Sequence, residues 1–277
     1  MPNLTIVTAF INIGNFRKGG GRRSVEEYLE WMKIWQNIKN GAVFFTNKHE
    51  HEAEFSKIRA LKNQMTKTGL VDLKNSKLWG TNLLPNITRI FERPGYPRHH
   101  PNTVLPMYST VMNLKFDFLE ETILSNSFSS DFFAWVDLGL YRDASLDEPC
   151  FSLLVPPDYD LTKVALNKVD RFIADRSASD IVKSNSIWVG GTMFFGHKDA
   201  LLSLIKQYRR TAEEMIGRGW YSTDQQTLYS MFSDRSLNIH IDVGLQIYED
   251  AGKIMIPRYN SNYWWYLGYL LRSDDEC

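Results

Sequence analysis

The residues best suited to chemistry in this sequence follow a short apolar segment. Residues 132–137 form an apolar run that ends in the carboxylate Asp137, and Gly139 and Arg142 follow closely. An apolar run bounded by polar residues predicts a strand buried on both faces, as in parallel α/β sheets. Because such sheets bind ligands just past the carboxyl ends of their strands, we expect Asp137 at a ligand-binding edge.

Asp137 suggests a specific chemistry at that edge. A carboxylate there can bind Mg²⁺ or Mn²⁺, hard cations that prefer oxygen ligands, and the cation can bind a diphosphate. Arg142 can meet a phosphate as a bidentate donor, and Gly139 lets the backbone approach a ligand closely. The alternative is a carboxylate that caps the loop after the strand with Arg142 as its partner, and residue types leave both interpretations open.

Two further segments carry residues that suit a sugar-phosphate ligand. Gly190 and Gly191 lie in the apolar segment 187–195, where glycines either leave room for a sugar or mark a bulge. Asp224 and Gln225 open a predicted helix, where backbone amides keep a carboxylate ionised. Such a carboxylate can accept a hydroxyl proton or bind sugar hydroxyls, although Asp is also an ordinary residue at a helix start.

Weaker signals come from a pair formed by a histidine and an aspartate, and from a basic run. His240 and Asp242 share one face of a predicted strand, because residues two apart point the same way. They could complete a metal site begun by Asp137, and the spacing is also one that arises by chance. The run 17–23 could clamp a diphosphate or form a solvated loop. Its glycines match neither a P-loop nor a dinucleotide-binding fingerprint.

The chain alternates between strand and helix patterns. Leu4–Phe10 and Ala42–Thr46 have the pattern of buried strands, and between them Ser24 and Glu27 form a capping box that starts a helix. A strand–helix–strand unit predicts a right-handed crossover into a parallel pair. We therefore predict an α/β fold with a mostly parallel, Rossmann-like central sheet flanked by helices, in a single domain spanning 1–277. Further predicted elements are helices at 50–67, 108–124, 198–216 and 223–232, and strands at 86–91, 187–195, 238–242 and 254–256.

Composition argues against several classes of partner. The 32 basic and 32 acidic residues cancel, which argues against a nucleic-acid groove and against a polybasic membrane anchor. Two cysteines are too few for a disulfide scaffold, and no signal-peptide pattern opens the sequence, so a cytoplasmic location is expected. The aromatic segment 263–271 either packs on the domain or contacts the inner face of a membrane, because Trp and Tyr favour bilayer interfaces.

Several segments together resemble a known protein family. They are 5–10 with Gly14, 135–142, the pair Gly190-Gly191 and the pair Asp224-Gln225. Over nearly its whole length the sequence resembles the HtrL/YibB type of bacterial proteins, which are associated with lipopolysaccharide or capsule gene clusters. The same elements resemble GT-A glycosyltransferases more widely.

The likeness to GT-A enzymes implies a nucleotide-sugar-binding half, 1–143, and an acceptor-binding half, 144–277. It implies that Asp137 takes the first position of an Asp-x-Asp motif, Asp224 a later catalytic carboxylate, and His240 a late metal-binding histidine. The sequence departs from that motif because Leu138 and Gly139 follow Asp137 without a second acid. Either the metal, Mn²⁺ or Mg²⁺, is held by fewer protein ligands, or the metal is absent and Arg142 and Lys115 replace its charge. The residues predicted to contact the donor are Thr8, Ala9, Phe10, Arg17, Lys115, Arg142, Gly190, Gly191 and Gln225.

The expected function is a glycosyltransferase that moves a sugar from a nucleotide-sugar donor, UDP-linked by first choice, to a glycan or glycolipid acceptor in surface-polysaccharide or lipopolysaccharide synthesis. Asp137 would position metal and diphosphate, while Arg142, Lys115 and Arg17 would balance phosphate charge. Asp224 would contact the sugar or act as a base. The alternatives are a non-catalytic carbohydrate- or nucleotide-binding protein of the same fold and a phosphotransferase acting on a surface polysaccharide.

Overall fold

The computed structural model of this chain describes residues 3–274. Its helices and strands follow the alternating order predicted for an α/β protein. Short 3₁₀ turns at Lys33–Asn37, Arg235–Leu237 and Tyr263–Trp265 accompany them. The strands are β1 (Leu4–Phe10), β2 (Phe16–Lys18), β3 (Gly21–Arg23), β4 (Ala42–Thr46), β5 (Thr66–Leu70), β6 (Phe132–Val136), β7 (Phe151–Leu153), β8 (Lys163–Lys168), β9 (Val189–His197), β10 (Gly244–Tyr248) and β11 (Arg272–Asp274). The helices are α1 (Val25–Met32), α2 (His49–Ala60), α3 (Trp79–Asn82), α4 (Leu84–Phe91), α5 (Pro106–Ser125), α6 (Ala178–Lys183), α7 (Lys198–Gly217), α8 (Asp224–Ser233), α9 (Met255–Tyr259) and α10 (Tyr266–Leu270).

Within the described residues, seven strands form a central sheet in the order β10-β8-β9-β6-β1-β4-β5. The pairs β6–β1, β1–β4, β4–β5 and β8–β10 are parallel, and β9 runs antiparallel between β6 and β8. All of these strands except β9 therefore point in one direction. The predicted mostly parallel α/β sheet flanked by helices is confirmed.

The order of connections creates a switch point beside β1. The chain leaves β1 for β4 and β5 on one side, then returns through α5 to β6 on the other side. The connection that follows β1 runs toward β4, whereas the connection that follows β6 runs the other way, toward β8 and β9. This reversal opens a crevice at the carboxyl ends of β1 and β6. The described chain therefore has the geometry in which α/β proteins bind ligands between these two strands.

Apolar residues cover both faces of the sheet. Alternate residues of β1 enter two cores: Ile6 packs with Trp35 and Phe55 on one face, and Val7 packs with Phe116 on the other. All residues of β4 and β6 are buried, as the continuous apolar runs predicted. Layers on both faces explain why these short strands consist almost entirely of apolar residues.

The predicted capping box at Ser24 is present, and a second one begins α8. Ser24 accepts a hydrogen bond from the Glu27 amide while the Glu27 carboxylate accepts one from the Ser24 amide, which fixes the start of α1. Thr223 and Gln226 form the corresponding pair at the start of α8. This second cap matters for the site, because it sets where Asp224 lies.

Three predicted strands are wrong. Residues 86–91 belong to helix α4, because Pro85 suits a first helical turn and Ile87, Ile90 and Phe91 recur at helical spacing on the buried side. Residues 238–242 form no regular element and lead into β10, while 254–256 lie at the start of α9. The run 17–23, expected as a loop, contributes most of the short hairpin β2–β3.

The aromatic segment near the end of the described chain packs on the domain. Leu267, Tyr269 and Leu271 are buried in the core that contains Ile6 and Trp35. The Tyr141 hydroxyl donates a hydrogen bond to the Gly268 carbonyl at 2.9 Å. Of the two interpretations of this segment, packing on the domain agrees with these contacts. Cys150 is also buried, and Cys277 lies outside the described residues.

None of the helices within residues 3–274 is both long enough and apolar enough to span a membrane.

Candidate functional site

A cleft opens at the carboxyl ends of β1 and β6, where the switch point predicts one. It encloses about 890 Å³ of empty space, including solvent at its mouth. Ala9, Phe10 and Ile11 line it from the end of β1, and Asp137 and Gly139 line it from the loop after β6. The remaining lining residues are Ile13, Gly14, Phe16, Lys18, Arg23, Val25, Tyr28, Trp31, Tyr108, Val111, Met112, Phe118, Trp135, Leu138 and Arg142.

Asp137 reaches this cleft as a partly exposed carboxylate, with 36% of its side chain accessible. Its amide donates to the Thr192 carbonyl at 2.7 Å, which anchors the loop to β9. The Trp135 indole donates to Asp137 Oδ1 at 2.7 Å. Strand β6 thus fixes one carboxylate oxygen from two residues away, on the same face of the strand. The predicted location of Asp137, at a cleft on the sheet edge, agrees with this geometry.

A buried ion pair lies beneath Asp137. Lys115 of α5 is 1% exposed, and its Nζ donates to Asp224 Oδ2 at 2.7 Å and to the Gly191 carbonyl at 2.9 Å. The same nitrogen lies 3.8 Å from Asp137 Oδ1. Burial by itself would lower the pKa of Lys115, but Asp224 and Asp137 raise it above its ordinary value. Lys115 is therefore held in its charged form between two carboxylates.

This burial changes the roles predicted for three residues. Lys115 and Asp224 are both sealed from solvent, and neither is among the residues that line the cleft. Lys115 thus pairs with Asp224 rather than reaching a phosphate. Gly191 supplies a carbonyl to that pair from β9. Lys115, Asp224 and Gly191 thus form a buried cluster beneath Asp137, which we call the cleft floor.

Gly191 is needed because Asp224 occupies the space where a side chain would begin. A Cβ at Gly191 would overlap Asp224 Oδ2, and Lys115 holds that carboxylate in place.

We expect Gly191→Ala to lower the free energy of unfolding by about 1–3 kcal/mol, the usual cost of overpacking. Urea denaturation measures this loss. Gly20→Ala is the control, because nothing lies within 4 Å of its Cβ position, and its stability should stay within about 0.5 kcal/mol of wild type. Equal stability of the two variants would contradict this packing.

Arg142 is clamped between two indole rings at the cleft. Its Cζ lies 4.3 Å from the ring centre of Trp31 and 4.5 Å from that of Trp265. Its Nε donates to the Gly139 carbonyl at 2.8 Å. Burial and the neighbouring Arg23 lower the pKa of Arg142. The sequence analysis selected Arg142, but the two tryptophans that orient it were missed.

Gly139 makes room for one of these rings. A Cβ at Gly139 would lie 2.5 Å from Cε3 of Trp31, so the glycine admits the indole against the backbone. This role replaces the predicted one of direct approach to a ligand. Trp31 lies in α1, the helix predicted to start at Ser24, and the sequence analysis did not select it.

The hairpin β2–β3 contributes further cations to the cleft. Lys18 and Arg23 line it together with Phe16, whereas Arg17 is exposed and is not among the lining residues. The alternation along β2 explains this, because Phe16 and Lys18 share one face and Arg17 points to the other. Lys18 Nζ donates to the Tyr108 hydroxyl at 2.9 Å. Lys18 and Arg23, rather than the predicted Arg17, are therefore the cations that the hairpin brings to the cleft.

The other residues predicted to contact the donor divide into two groups. Ala9 and Phe10 line the cleft, as stated above. Thr8 is fully buried within β1, and its hydroxyl has no hydrogen-bond partner among the described residues. Gly190 is buried in β9, and the Gln225 side chain donates to the Val189 carbonyl at 3.5 Å. The structure brings neither Gly190 nor Gln225 to the cleft lining.

The structure does not bring His240 to Asp137. His240 is exposed in the segment that enters β10, and β10 runs in the same direction as β1 and β6. That segment therefore lies at the amino ends of the parallel strands, whereas the cleft lies at their carboxyl ends. Its neighbour Asp242 accepts a hydrogen bond from Ser203 near the start of α7. In the described part of the chain, no group of three or more His, Cys, Asp or Glu side chains is arranged to hold a metal ion.

Comparison with known proteins bears on family membership. No curated protein matches the chain. A family model described as a bacterial protein of unknown function, HtrL_YibB, matches residues 2–244. The match includes β1, β6, the loop that carries Asp137 and the helix that carries Asp224. The chain therefore belongs to the HtrL_YibB family.

Proposed function

We propose that this protein is a glycosyltransferase of GT-A-like architecture that uses a nucleotide-sugar donor. The observation that carries the proposal is the position of Asp137 in a cleft at the switch point between β1 and β6. Crevices of this kind are where open α/β sheets bind nucleotides. The cleft also combines aromatic rings with cations, the two surfaces that a base and a diphosphate require.

The proposed reaction assigns separate tasks to the lining residues. The bond between the anomeric carbon of the sugar and the phosphate oxygen breaks, and the nucleoside diphosphate leaves with the electron pair. The acceptor oxygen bonds to the anomeric carbon and loses its proton. Lys18, Arg23 and Arg142 are the candidates to stabilise the charge on the leaving diphosphate. Asp137, the carboxylate among the described lining residues, is the candidate to accept the hydroxyl proton.

Without substrate phosphates, a resident Mn²⁺ or Mg²⁺ would find a single carboxylate among the described lining residues of the cleft. Such ions prefer several oxygen ligands, and one or two carboxylates usually anchor Mg²⁺ together with phosphates. Asp137 offers one carboxylate, and its Oδ1 already accepts the Trp135 hydrogen bond. His240 lies at the other edge of the sheet, and Asp224 is committed to Lys115. No step of the proposed reaction is therefore assigned to a metal ion.

The proposed acceptor is a glycan or glycolipid. The cleft is open to solvent beside Asp137, which leaves room for a second substrate against the donor. The likeness to GT-A enzymes assigns acceptor binding to residues 144–277, and Trp265 from that part of the chain contacts Arg142. Trp265 is the residue at which donor and acceptor binding would meet.

A thermal-shift screen of nucleotide sugars, with and without Mn²⁺, tests the proposal. A ligand that binds the folded state adds RT ln(1 + [L]/Kd) to its stability. At roughly a hundredfold excess over Kd, we expect the cognate donor to raise Tm by about 5–10 °C. The corresponding free sugars serve as controls and should leave Tm unchanged. A screen in which no nucleotide sugar raises Tm under either condition would contradict the proposal.

One observation favours a second candidate, a nucleotide-binding protein without transferase activity. Asp224, which the resemblance assigned to catalysis, is sequestered by Lys115, so a single carboxylate faces the cleft among the described lining residues. Incubation of a donor identified by the screen with extracts of bacterial surface glycans distinguishes the two. Release of nucleoside diphosphate with a glycosylated product supports the enzyme, whereas tight binding without turnover supports the second candidate.

A further inference from the structure

The cleft gathers more positive than negative charge. Among the described lining residues, Lys18, Arg23 and Arg142 are cationic and Asp137 is anionic, which leaves a surplus of two positive charges. The buried Lys115 and Asp224 neutralise each other below and do not change this balance. A nucleoside diphosphate sugar carries two ionised phosphates, so its charge matches the surplus.

Three independent contacts bring these cations together. Arg23 and Arg142 both lie over the Trp31 indole, with guanidinium carbons 5.3 and 4.3 Å from the ring centre. Lys18, on the facing strand of the hairpin, is anchored to the buried Tyr108 hydroxyl. The arrangement is built by β2, β3, α1, α5 and the loop after β6. Convergence of five elements on one cluster is unlike a solvated basic loop, whose side chains would spread apart.

Like charges so close together destabilise one another. Burial lowers the pKa of Arg142, and the neighbouring Arg23 lowers it further against the opposing effects of Asp137, Asp143 and Tyr28. Glu27, 3.6 Å from Arg23, offsets part of this repulsion from outside the lining. A bound polyanion would offset the remainder, because each cation would then gain a charge-assisted partner.

We propose that Lys18, Arg23 and Arg142 form a diphosphate-binding site that balances the donor's charge without a bound divalent cation. The inference rests on the proposed function and adds to it that these three residues bind the diphosphate when no divalent cation is present. The supporting observations are the shared cleft, the common indole and the charge surplus. The described lining also contains a single carboxylate, Asp137, so its net charge is already positive. A bound divalent cation would increase this positive charge instead of neutralising it.

Isothermal titration calorimetry in excess EDTA tests this site. The probes are ADP, CDP, GDP, UDP and inorganic pyrophosphate, each titrated again with Mn²⁺ in place of EDTA. We expect at least one probe to bind in EDTA. Lys18→Gln and Arg23→Gln should each weaken that binding about tenfold or more, because each removes a charged hydrogen-bond donor. Lys18→Arg, which keeps the charge, should restore most of the affinity.

Arg17→Gln is the matched control. It removes the same charge from the same short strand, but Arg17 is not among the residues that line the cleft. We expect its affinity to stay within about twofold of wild type, so a general loss of electrostatic attraction can be separated from loss of a contact. Unchanged thermal unfolding of each variant shows that the hairpin substitutions leave the fold intact.

The outcomes separate this inference from the proposed function. Binding that requires Mn²⁺, or binding in EDTA that Lys18→Gln and Arg23→Gln leave unchanged, overturns the inference and leaves the glycosyltransferase proposal standing. An equal loss in Arg17→Gln also overturns it. Failure of every probe with and without Mn²⁺ overturns both.

Discussion

Asp137→Asn is expected to lower the turnover of the cognate nucleotide sugar by about 100-fold or more, the scale of losing a general base. The amide cannot accept a proton from the acceptor hydroxyl. Its oxygen can still accept the Trp135 hydrogen bond that positions residue 137, so the loop should keep its place. Release of nucleoside diphosphate in the presence of donor and acceptor measures the effect. Donor affinity, measured separately by calorimetry, should change much less than turnover.

Asp131→Asn is the matched control for this prediction. Asp131 lies just before the other end of β6, where it is exposed and pairs with Lys198 at 2.8 Å. The substitution removes the same charge at a distance from the cleft, so turnover should stay close to wild type. Wild-type turnover in Asp137→Asn, or an equal loss in Asp131→Asn, would remove Asp137 from the reaction.

Lys115→Met is expected to lower the free energy of unfolding by about 3–5 kcal/mol, because it leaves the Asp224 carboxylate buried without its partner. The lost contacts are the ion pair at 2.7 Å and the hydrogen bond to the Gly191 carbonyl at 2.9 Å. Methionine keeps the length and apolar stem of lysine, so the loss reflects charge rather than volume. Urea denaturation followed by tryptophan fluorescence measures it.

A second substitution separates the charge effect from packing. Lys115→Met combined with Asp224→Leu removes both charges, and the double variant should recover much of the stability lost by the single one. Lys198→Met breaks an exposed ion pair and should cost at most about 1 kcal/mol. A loss in Lys115→Met no larger than that in Lys198→Met would show that the buried pair does not hold the cleft floor.

Strong local patterns made much of the fold predictable. The apolar runs of β1, β4 and β6 and the capping boxes at Ser24 and Thr223 specify their elements without help from distant residues. The segment 86–91 was assigned wrongly because a short apolar run can be helix or strand. Pro85 and the spacing of Ile87, Ile90 and Phe91 favoured the helix, and packing on α5 completed it.

The site was predictable only where it depends on a single strand end. Asp137 follows directly from the buried run before it. The partnership of Lys115 with Asp224 joins residues 109 positions apart and depends on how α5 and α8 meet β9. The position of His240 depends on the direction of β10 in the sheet, which no local pattern encodes. Arg17 was chosen over Lys18 because the hairpin that decides which side chain faces inward was not anticipated.

A crystal structure of the chain with the nucleotide that gives the largest thermal shift tests the central claim most directly. The account predicts the nucleotide between the ends of β1 and β6, with its diphosphate within hydrogen-bonding distance of Arg23 and Arg142. It also predicts the sugar-bearing phosphate on the side of Asp137. A nucleotide bound at the opposite edge of the sheet, or one that leaves the cleft beside Asp137 empty, would contradict it.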